Sequence, residues 1–390
     1  MIGTGSSGIQ SIPIIARQAA ALTVFQRTPN YSIPAWNTKI SPEVERAMKA
    51  EYPALRAKAR ARPTGFYFPY NLQSALKASP AERERQYEEF WSRGGLPFLG
   101  AYGDLLFEKT ANDTIAEFAR EKIRSVVKDP AMARLLSPDN VLGCKRLCVD
   151  TAYFETFNLP HVSLVDISSR PIERFTQKAI VANGIEYPVD AVVCATGFAA
   201  MTGSFDRIRI SGRGGQTLKE KWRAGPRTYL GIGSQGFPNL FIIAGPGSPS
   251  VLASLIQAIE QHVDWIADCI GHMRDVGAQA IEPDLKYEDD WVEHVNDVAK
   301  VSLRSTCSSW YVGANVPGQP RVFMPYIGGF PIYVNQCNEV MTKGYEGFVL
   351  EGAKKSVAPP KVRRTGRWRV PLDMDVISPA MLAARRVPVV

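Results

Sequence analysis

Apolar positions change period several times along this chain, and those changes outline its elements. After Gly3-Thr4-Gly5-Ser6-Ser7-Gly8, the residues Ile9, Ile12, Ile15 and Ala19 recur at helical spacing and give way to a strand-like run, Leu22-Thr23-Val24-Phe25. The order is strand, glycine turn, helix, strand. Only Met1 and Ile2 stand for the first strand, where such a turn uses a whole strand packed between neighbours, so the start reads as truncated. From about Ser41 to Leu135 the pattern is helical, with Ser41-Pro42-Glu43 as one helix start and Ser79-Pro80-Ala81-Glu82 as a capping box. Strand signals return at Val162 to Val165 and Ala179 to Val181; Asn183-Gly184 marks a turn, and Val189 to Ala195 reads as an apolar strand. Another buried strand is expected at Leu240 to Ile243, running into Gly245-Pro246-Gly247-Ser248-Pro249. From there Leu252, Leu255, Ile256, Ile259, Val263, Ile266 and Ile270 predict a helix capped by Ser248, with Pro249 in its first turn and Gly277 as its stop. Beyond about Gly352 no period is sustained, and residues 353–390, with Pro359-Pro360 and an arginine cluster, read as a basic, disordered tail.

A length of 390 residues with 45% hydrophobic content supports two or three domains with real cores and excludes a wholly disordered chain. No apolar run approaches the roughly 18 residues that cross a bilayer, and no basic leader precedes the glycine motif, so a cytoplasmic protein without a membrane partner is expected. The net charge of +8 invites a nucleic-acid reading until its distribution is examined. Nine basic residues lie between Lys354 and Val390 against Asp373 and Asp375, which is +7 and leaves +1 for residues 1–353. A nucleic-acid partner is therefore not expected, and RNA binding would have to reside in the tail. Six cysteines show neither a CxxC pair nor a dense framework, so reduced thiols are expected. The four histidines lack metal-ligand spacing, and no metal is expected.

The chemistry resides in the glycines and a few cations. In a GxGxxG turn, glycines admit a pyrophosphate to a helix N-terminus, where unpaired N–H groups and the dipole favour an anion; an ordinary glycine-rich loop is the alternative. Sites selective for NAD carry an acidic residue about 20 positions later, whereas this chain has Arg27-Thr28 at the end of its second strand. A guanidinium pairs bidentately with phosphate, so this favours the 2′-phosphate of NADP over a plain surface arginine.

Several blocks carry a resemblance, in order along the chain. They are Gly3 to Gln10, Phe25-Gln26-Arg27-Thr28-Pro29-Asn30-Tyr31, Tyr153 to Asn158, Ala195-Thr196-Gly197-Phe198, Gly236 to Phe241, Gly245 to Ser250, and Trp310 to Gly318. Residues 1 to about 352 thereby resemble Baeyer-Villiger monooxygenases, phenylacetone and cyclohexanone monooxygenases among them. The resemblance implies an α/β fold: a Rossmann-like NADP-binding domain (1–36 and 144–194) with a helical insertion (37–143), plus the C-terminal part of an FAD-binding domain (195–352). It implies FAD and NADPH as cofactors, and a ketone and O2 as substrates. In that family NADPH reduces FAD, the reduced flavin captures O2 as a C4a-peroxide, and the peroxide attacks a ketone to give an ester or lactone.

By the same resemblance Arg146 is the cation beside the flavin, and Lys145 joins Arg27 and Thr28 on the 2′-phosphate. Gly3, Thr4, Gly5, Ser6, Ser7, Gly8 and Gln10 form the dinucleotide turn, and Trp310 donates its indole N–H to the nicotinamide cofactor. Read by themselves, Lys145-Arg146 are a solvated pair at a strand end and Trp310 is core. The resemblance also implies an ADP-binding GxGxxG and an FxGxxxHxxxW signature upstream of residue 1. Ala199 stands where the family has aspartate, and Ser254 where it has asparagine. Two other readings stay open, a catalytically inactive nucleotide-binding fragment and a flavin monooxygenase that oxygenates nitrogen or sulfur. Neither the particular ketone nor an oligomeric state is written in these motifs.

Overall fold

The computed structural model describes residues 1–354 and 359–370, and in it the glycine turn launches a helix as its spacing predicts. Helix α1 (Ser6–Ala16) follows Gly5 directly and leads to strands β1 (Leu22–Gln26) and β2 (Ser32–Pro34). Helices α2 (Pro42–Arg60), α3 (Pro80–Arg93), α4 (Lys109–Val126) and α5 (Pro130–Leu136) come next. Each starts behind a side chain that accepts a backbone N–H: Ser41, Ser79, Glu108 and Asp129. At Ser79 the predicted capping box is complete, with Glu82 accepting from the Ser79 N–H. Then come β3 (Cys148–Asp150), α6 (Tyr153–Thr156), β4 (Val162–Asp166), β5 (Arg174–Phe175), β6 (Ala179–Ala182) and β7 (Ile185–Pro188). The remaining elements are α7 (Leu218–Lys221), α8 (Leu255–Val276), β8 (Ala280–Pro283), α9 (Leu285–Lys300), α10 (Phe330–Thr342) and β9 (Phe348–Glu351). Two compact units result, Met1–Lys39 with Pro69–Phe198, and Ile40–Phe68 with the described residues from Ala199 onward.

In the first unit β1 and β4 pair in parallel, Leu22 opposite Val162 through Gln26 opposite Asp166. Met1 and Ile2 extend this sheet as a minimal strand bonded on both sides. Ile2 N–H donates to Val193 O and Ala195 N–H to Ile2 O, both at 2.8 Å, while Phe25 N–H donates to Met1 O at 2.9 Å. Met1, Ile9, Ile12, Leu22 and Val24 are buried together beneath it. Asn183 and Gly184 both have positive φ, 54° and 74°, the two-residue turn that suits the twist of the β6–β7 hairpin. The expected strand over Val189 to Ala195 is only partly realised: it contributes one bridge, Cys194 to Ile2, and Val192 and Val193 are exposed.

The expected 37–143 insertion divides. Helices α3 and α4 close a core of Tyr87, Phe90, Phe98 and Phe118 in the first unit, whereas the α2 segment packs with the second. There Ser254 N–H donates to Thr64 O, Phe330 N–H to Pro63 O and the Gln257 amide to Gly65 O. Helical periodicity reports that a segment is a helix and not which core it joins.

The second unit is built around buried Trp265, Trp291, Tyr326, Phe330, Tyr333 and Trp368, and it departs from expectation at three places. Leu240 to Ile243 forms no strand; its Ile242 N–H donates to Ile232 O and Ile243 is exposed, since no described strand lies beside it. Helix α8 starts at Leu255 rather than behind Ser248, because the Ser248 hydroxyl donates to Gly245 O and Ser250 takes φ 32°, outside helical geometry. Gly277 stops α8 as predicted, at φ 73°. The third departure is in the tail, where residues 359–370 dock on α8. Asp268 accepts the N–H groups of Arg363, Arg364 and Thr365 and the Thr365 hydroxyl, and Asp264 accepts from the Arg367 guanidinium and the Trp368 indole. Trp368 is fully buried against Phe330, with the Arg60 guanidinium over its ring at 4.5 Å. The disordered-tail expectation is thus overturned for 359–370, and for 355–358 and 371–390 it lies outside the described residues.

Cys148, Cys194, Cys269 and Cys337 are free thiols. The expectation of reduced thiols is met at these four positions. No helix among the described residues is long and apolar enough to cross a membrane.

Candidate functional site

Each glycine of the turn has its own job. A Cβ on Gly3, where φ is +101°, would stand 2.4 Å from Ala195 O, and one on Gly8 would stand 2.3 Å from Gly3 O. These two glycines therefore let strand, turn and helix close on one another. A Cβ on Gly5 would meet nothing within 4 Å, so the middle glycine borders open space. Gly5 is also the N-cap of α1, with no side-chain cap and no acidic residue in the first turn. The first N–H groups of a helix have no acceptor within it, so this end is electropositive and suited to a phosphate.

Side chains tie this turn to two others. Thr4 is buried; its hydroxyl donates to Thr28 O at 3.1 Å, and the Asn30 amide donates to Thr4 O at 2.6 Å. The turn is thereby fixed to the segment carrying Arg27 and Thr28. On the other side the Gln10 amide donates to Val149 O at 3.2 Å, and Ser6 Oγ lies 3.4 Å from Cys148 Sγ, which anchors it to β3, directly after Lys145-Arg146. Ser7, Arg27 and Arg146 are exposed and Lys145 is half-buried. Burial, and then the positive charge of Arg27, push the Lys145 ammonium below the ordinary lysine pKa. A bound anion would relieve that repulsion.

The structure therefore gathers Gly3, Thr4, Gly5, Ser6, Ser7, Gly8, Gln10, Arg27, Thr28, Lys145 and Arg146 on one unit. Trp310 belongs to the other unit, in a short turn where its ring lies 4.3 Å from that of Tyr311. Sequence reasoning missed Cys148 and Asn30 as supports. Asn30 sits inside the Phe25–Tyr31 block and was within reach of it, whereas nothing local marks Cys148. Among the described residues no group of side chains is arranged to hold a metal ion.

No family model matches the chain. Individual proteins do. A Baeyer-Villiger monooxygenase of Pseudooceanicola batsensis is 36% identical over 360 residues, which is 92% of this chain and 66% of that protein. Phenazine N-monooxygenase PhzNO1 of Lysobacter antibioticus is 34% identical, with 92% of this chain and 66% of the relative covered. Among solved structures, an oxidised steroid monooxygenase bound to NADP is 48% identical and superposes with a TM-score of 0.84 over 90% of this chain and 66% of that one. The chain thus spans about two thirds of the length of the relatives it matches. Identity at this level across nine tenths of the residues, on a superposable backbone, reflects common descent rather than shared architecture alone, and the chain belongs to the Baeyer-Villiger monooxygenase family.

Proposed function

We propose that the first unit binds NADPH at its glycine turn, and that the chain is the NADP-binding and C-terminal portion of a flavin-dependent monooxygenase that uses NADPH and O2 to convert ketones to esters or lactones. The observation that carries the reading is the open space at Gly5 before an uncapped helix start, with the Lys145 ammonium destabilised by burial and by Arg27. That arrangement suits an anion better than water. In this reading Gly3 to Gly8 and Gln10 hold the pyrophosphate, while Arg27, Thr28 and Lys145 take the 2′-phosphate. Arg146 supplies a fixed cation where negative charge develops on the reacting oxygen, and a cation in a site of low dielectric stabilises such charge strongly. Trp310 donates its indole N–H to the nicotinamide cofactor. Residues 1–36 and 144–194 form the NADP domain, and 195–352 contribute to the FAD domain.

FAD, when bound, supplies the oxygen-activating chemistry. The start of α8 fits a flavin: Ser254 makes no side-chain cap and no acidic residue lies in the first turn, which leaves N–H groups for an anionic ring edge. A cytoplasmic location goes with the proposal, as the compartment that supplies NADPH. The similarity to a phenazine N-monooxygenase supports a second reading, oxygenation of a ring nitrogen.

The test starts with dissociation constants for NADPH and NADH. NADPH should bind more tightly, and Arg27→Ala should weaken it by about 10- to 100-fold, the worth of one charge-assisted hydrogen bond, with NADH little changed. Equal losses for both nucleotides refute the 2′-phosphate assignment. With FAD supplied, incorporation of labelled O2 into an ester supports ketone oxygenation and into an N-oxide supports the second reading. Failure to bind flavin at all leaves only a nucleotide-binding fragment.

A further inference from the structure

Strands β2 and β3 have three residues each and pair in parallel, Ser32 opposite Cys148 and Pro34 opposite Asp150. So short a two-stranded pair holds its register weakly, and Pro34 has no N–H to give to the ladder. A side-chain contact supplies what the ladder lacks. The Ser32 hydroxyl donates to Asp150 Oδ2 at 2.5 Å, and the Tyr153 N–H donates to Asp150 Oδ1 at 2.9 Å. Both side chains are buried, at 4% and 7% exposure, and both carboxylate oxygens are engaged. Each oxygen of Asp150 is thus committed to a contact within the fold.

What the contact joins gives it a role. Ser32, the first residue of β2, follows Thr28 by four positions, and Cys148, opposite it at the start of β3, follows Arg146 by two, so both cationic turns lead directly into this strand pair. The glycine turn is held to the Arg27–Thr28 side through Thr4 and Asn30. The Lys145–Arg146 side meets Arg27–Thr28 across β2 and β3.

We infer that the Ser32–Asp150 hydrogen bond is a positioning contact that sets the spacing between Arg27–Thr28 and Lys145–Arg146, and so the preference for a nucleotide bearing a 2′-phosphate. The inference rests on the NADPH reading above. Both nucleotides share the pyrophosphate held at the glycine turn, and only the 2′-phosphate spans the two cationic turns, so loosening their spacing penalises NADPH alone.

The experiment measures NADPH and NADH dissociation constants for the full chain carrying Ser32→Ala, Asp150→Asn or Ser32→Thr, with thermal melts alongside. Ser32→Ala and Asp150→Asn should weaken NADPH by about three- to tenfold, the worth of one hydrogen bond, and leave NADH within about twofold. Ser32→Thr keeps the hydroxyl and should keep the preference. Equal loss of both nucleotides, through unfolding or otherwise, or no loss of either, overturns the inference. Arg27→Ala is the control: if it leaves NADPH binding intact, the NADPH reading itself fails, whereas an effect there without one at Ser32 and Asp150 removes only the positioning contact.

Discussion

Replacing Asp268 with alanine should release the docked segment 359–370 while the rest of the second unit stays folded. The carboxylate accepts three successive backbone N–H groups, from Arg363 at 3.1 Å, Arg364 at 2.9 Å and Thr365 at 3.0 Å, and the Thr365 hydroxyl at 2.8 Å. Counting the three N–H donors at one to two kcal/mol each, the variant loses about 3–6 kcal/mol of docking free energy, roughly a hundredfold or more in the detached fraction. The arginines of the segment make trypsin a direct reporter, because cleavage after Arg363, Arg364 or Arg367 requires the segment to lift. Cleavage there should accelerate about in proportion, with the α8 fragment otherwise intact. Burial by itself would raise the Asp268 pKa, but the N–H and hydroxyl donors outweigh it and hold the carboxyl below the usual aspartate value. A depressed pKa stabilises the docked form fully above the unfolded value of about 3.9 and loses that contribution as pH falls through the lower folded value. Protection from hydrogen exchange over 359–370, relative to an unfolded chain at the same pH, should thus be strong at neutral pH in the parent, weaken only in acid, and be weak at neutral pH in the variant. Unchanged cleavage and exchange in Asp268→Ala would refute this account of what holds the segment.

Gly8→Ala should lower the melting temperature, since its Cβ meets Gly3 O at 2.3 Å and relief of such overpacking costs about 1–3 kcal/mol. Gly5→Val should melt near the parent and lose nucleotide affinity, because Gly5 has φ −80° and its side chain would project into open space; the opposite pattern would separate the glycine roles wrongly. NADPH binding, unlike NADH binding, should take up protons in the alkaline range between the lowered pKa of Lys145 and the ordinary lysine value, as the 2′-phosphate restores the charged form; calorimetry in buffers of different ionisation enthalpy reads this, and equal uptake for both nucleotides would count against it. Burial holds His262 at about 4 against an ordinary 6.5. It accepts the Ala244 N–H and lies 2.6 Å from the Tyr333 hydroxyl, so the neutral form is the stable one and stability should fall as pH drops from 6.5 through about 4. The urea midpoint of His262→Gln should be lower overall and lack that slope; parallel curves would exclude His262 as its source.

What the chain states about itself is local. The glycine turn and its helix, the Ser79–Glu82 capping box, the Asn183-Gly184 hairpin and the Gly277 stop are legible because each is decided by residues within a few positions of one another, through backbone sterics and short-range hydrogen bonds. Arg27 and Thr28 are legible for a related reason, since a strand end at a set distance from the glycines has little choice of where to lie. Other features depend on partners remote in sequence. Leu240 to Ile243 has the composition of a strand, but a strand exists only where another backbone accepts its hydrogen bonds. The residues ahead of α8 are held by remote partners, Ser248 O accepting the Tyr326 N–H and Ser254 N–H donating to Thr64 O, and the α2 segment joined the second unit through carbonyls at 63, 64 and 65. Residues 359–370 have no period of their own, and an acidic pair one helical turn apart on α8, Asp264 and Asp268, supplies acceptors that this segment could not announce. Ser32 and Asp150 lie 118 positions apart and read separately as an ordinary serine and aspartate. Sequence by itself determined where the backbone turns and which residues could meet a phosphate; the tertiary structure decided which of those groups are held at a fixed spacing, because that depends on hydrogen bonds closed across the fold.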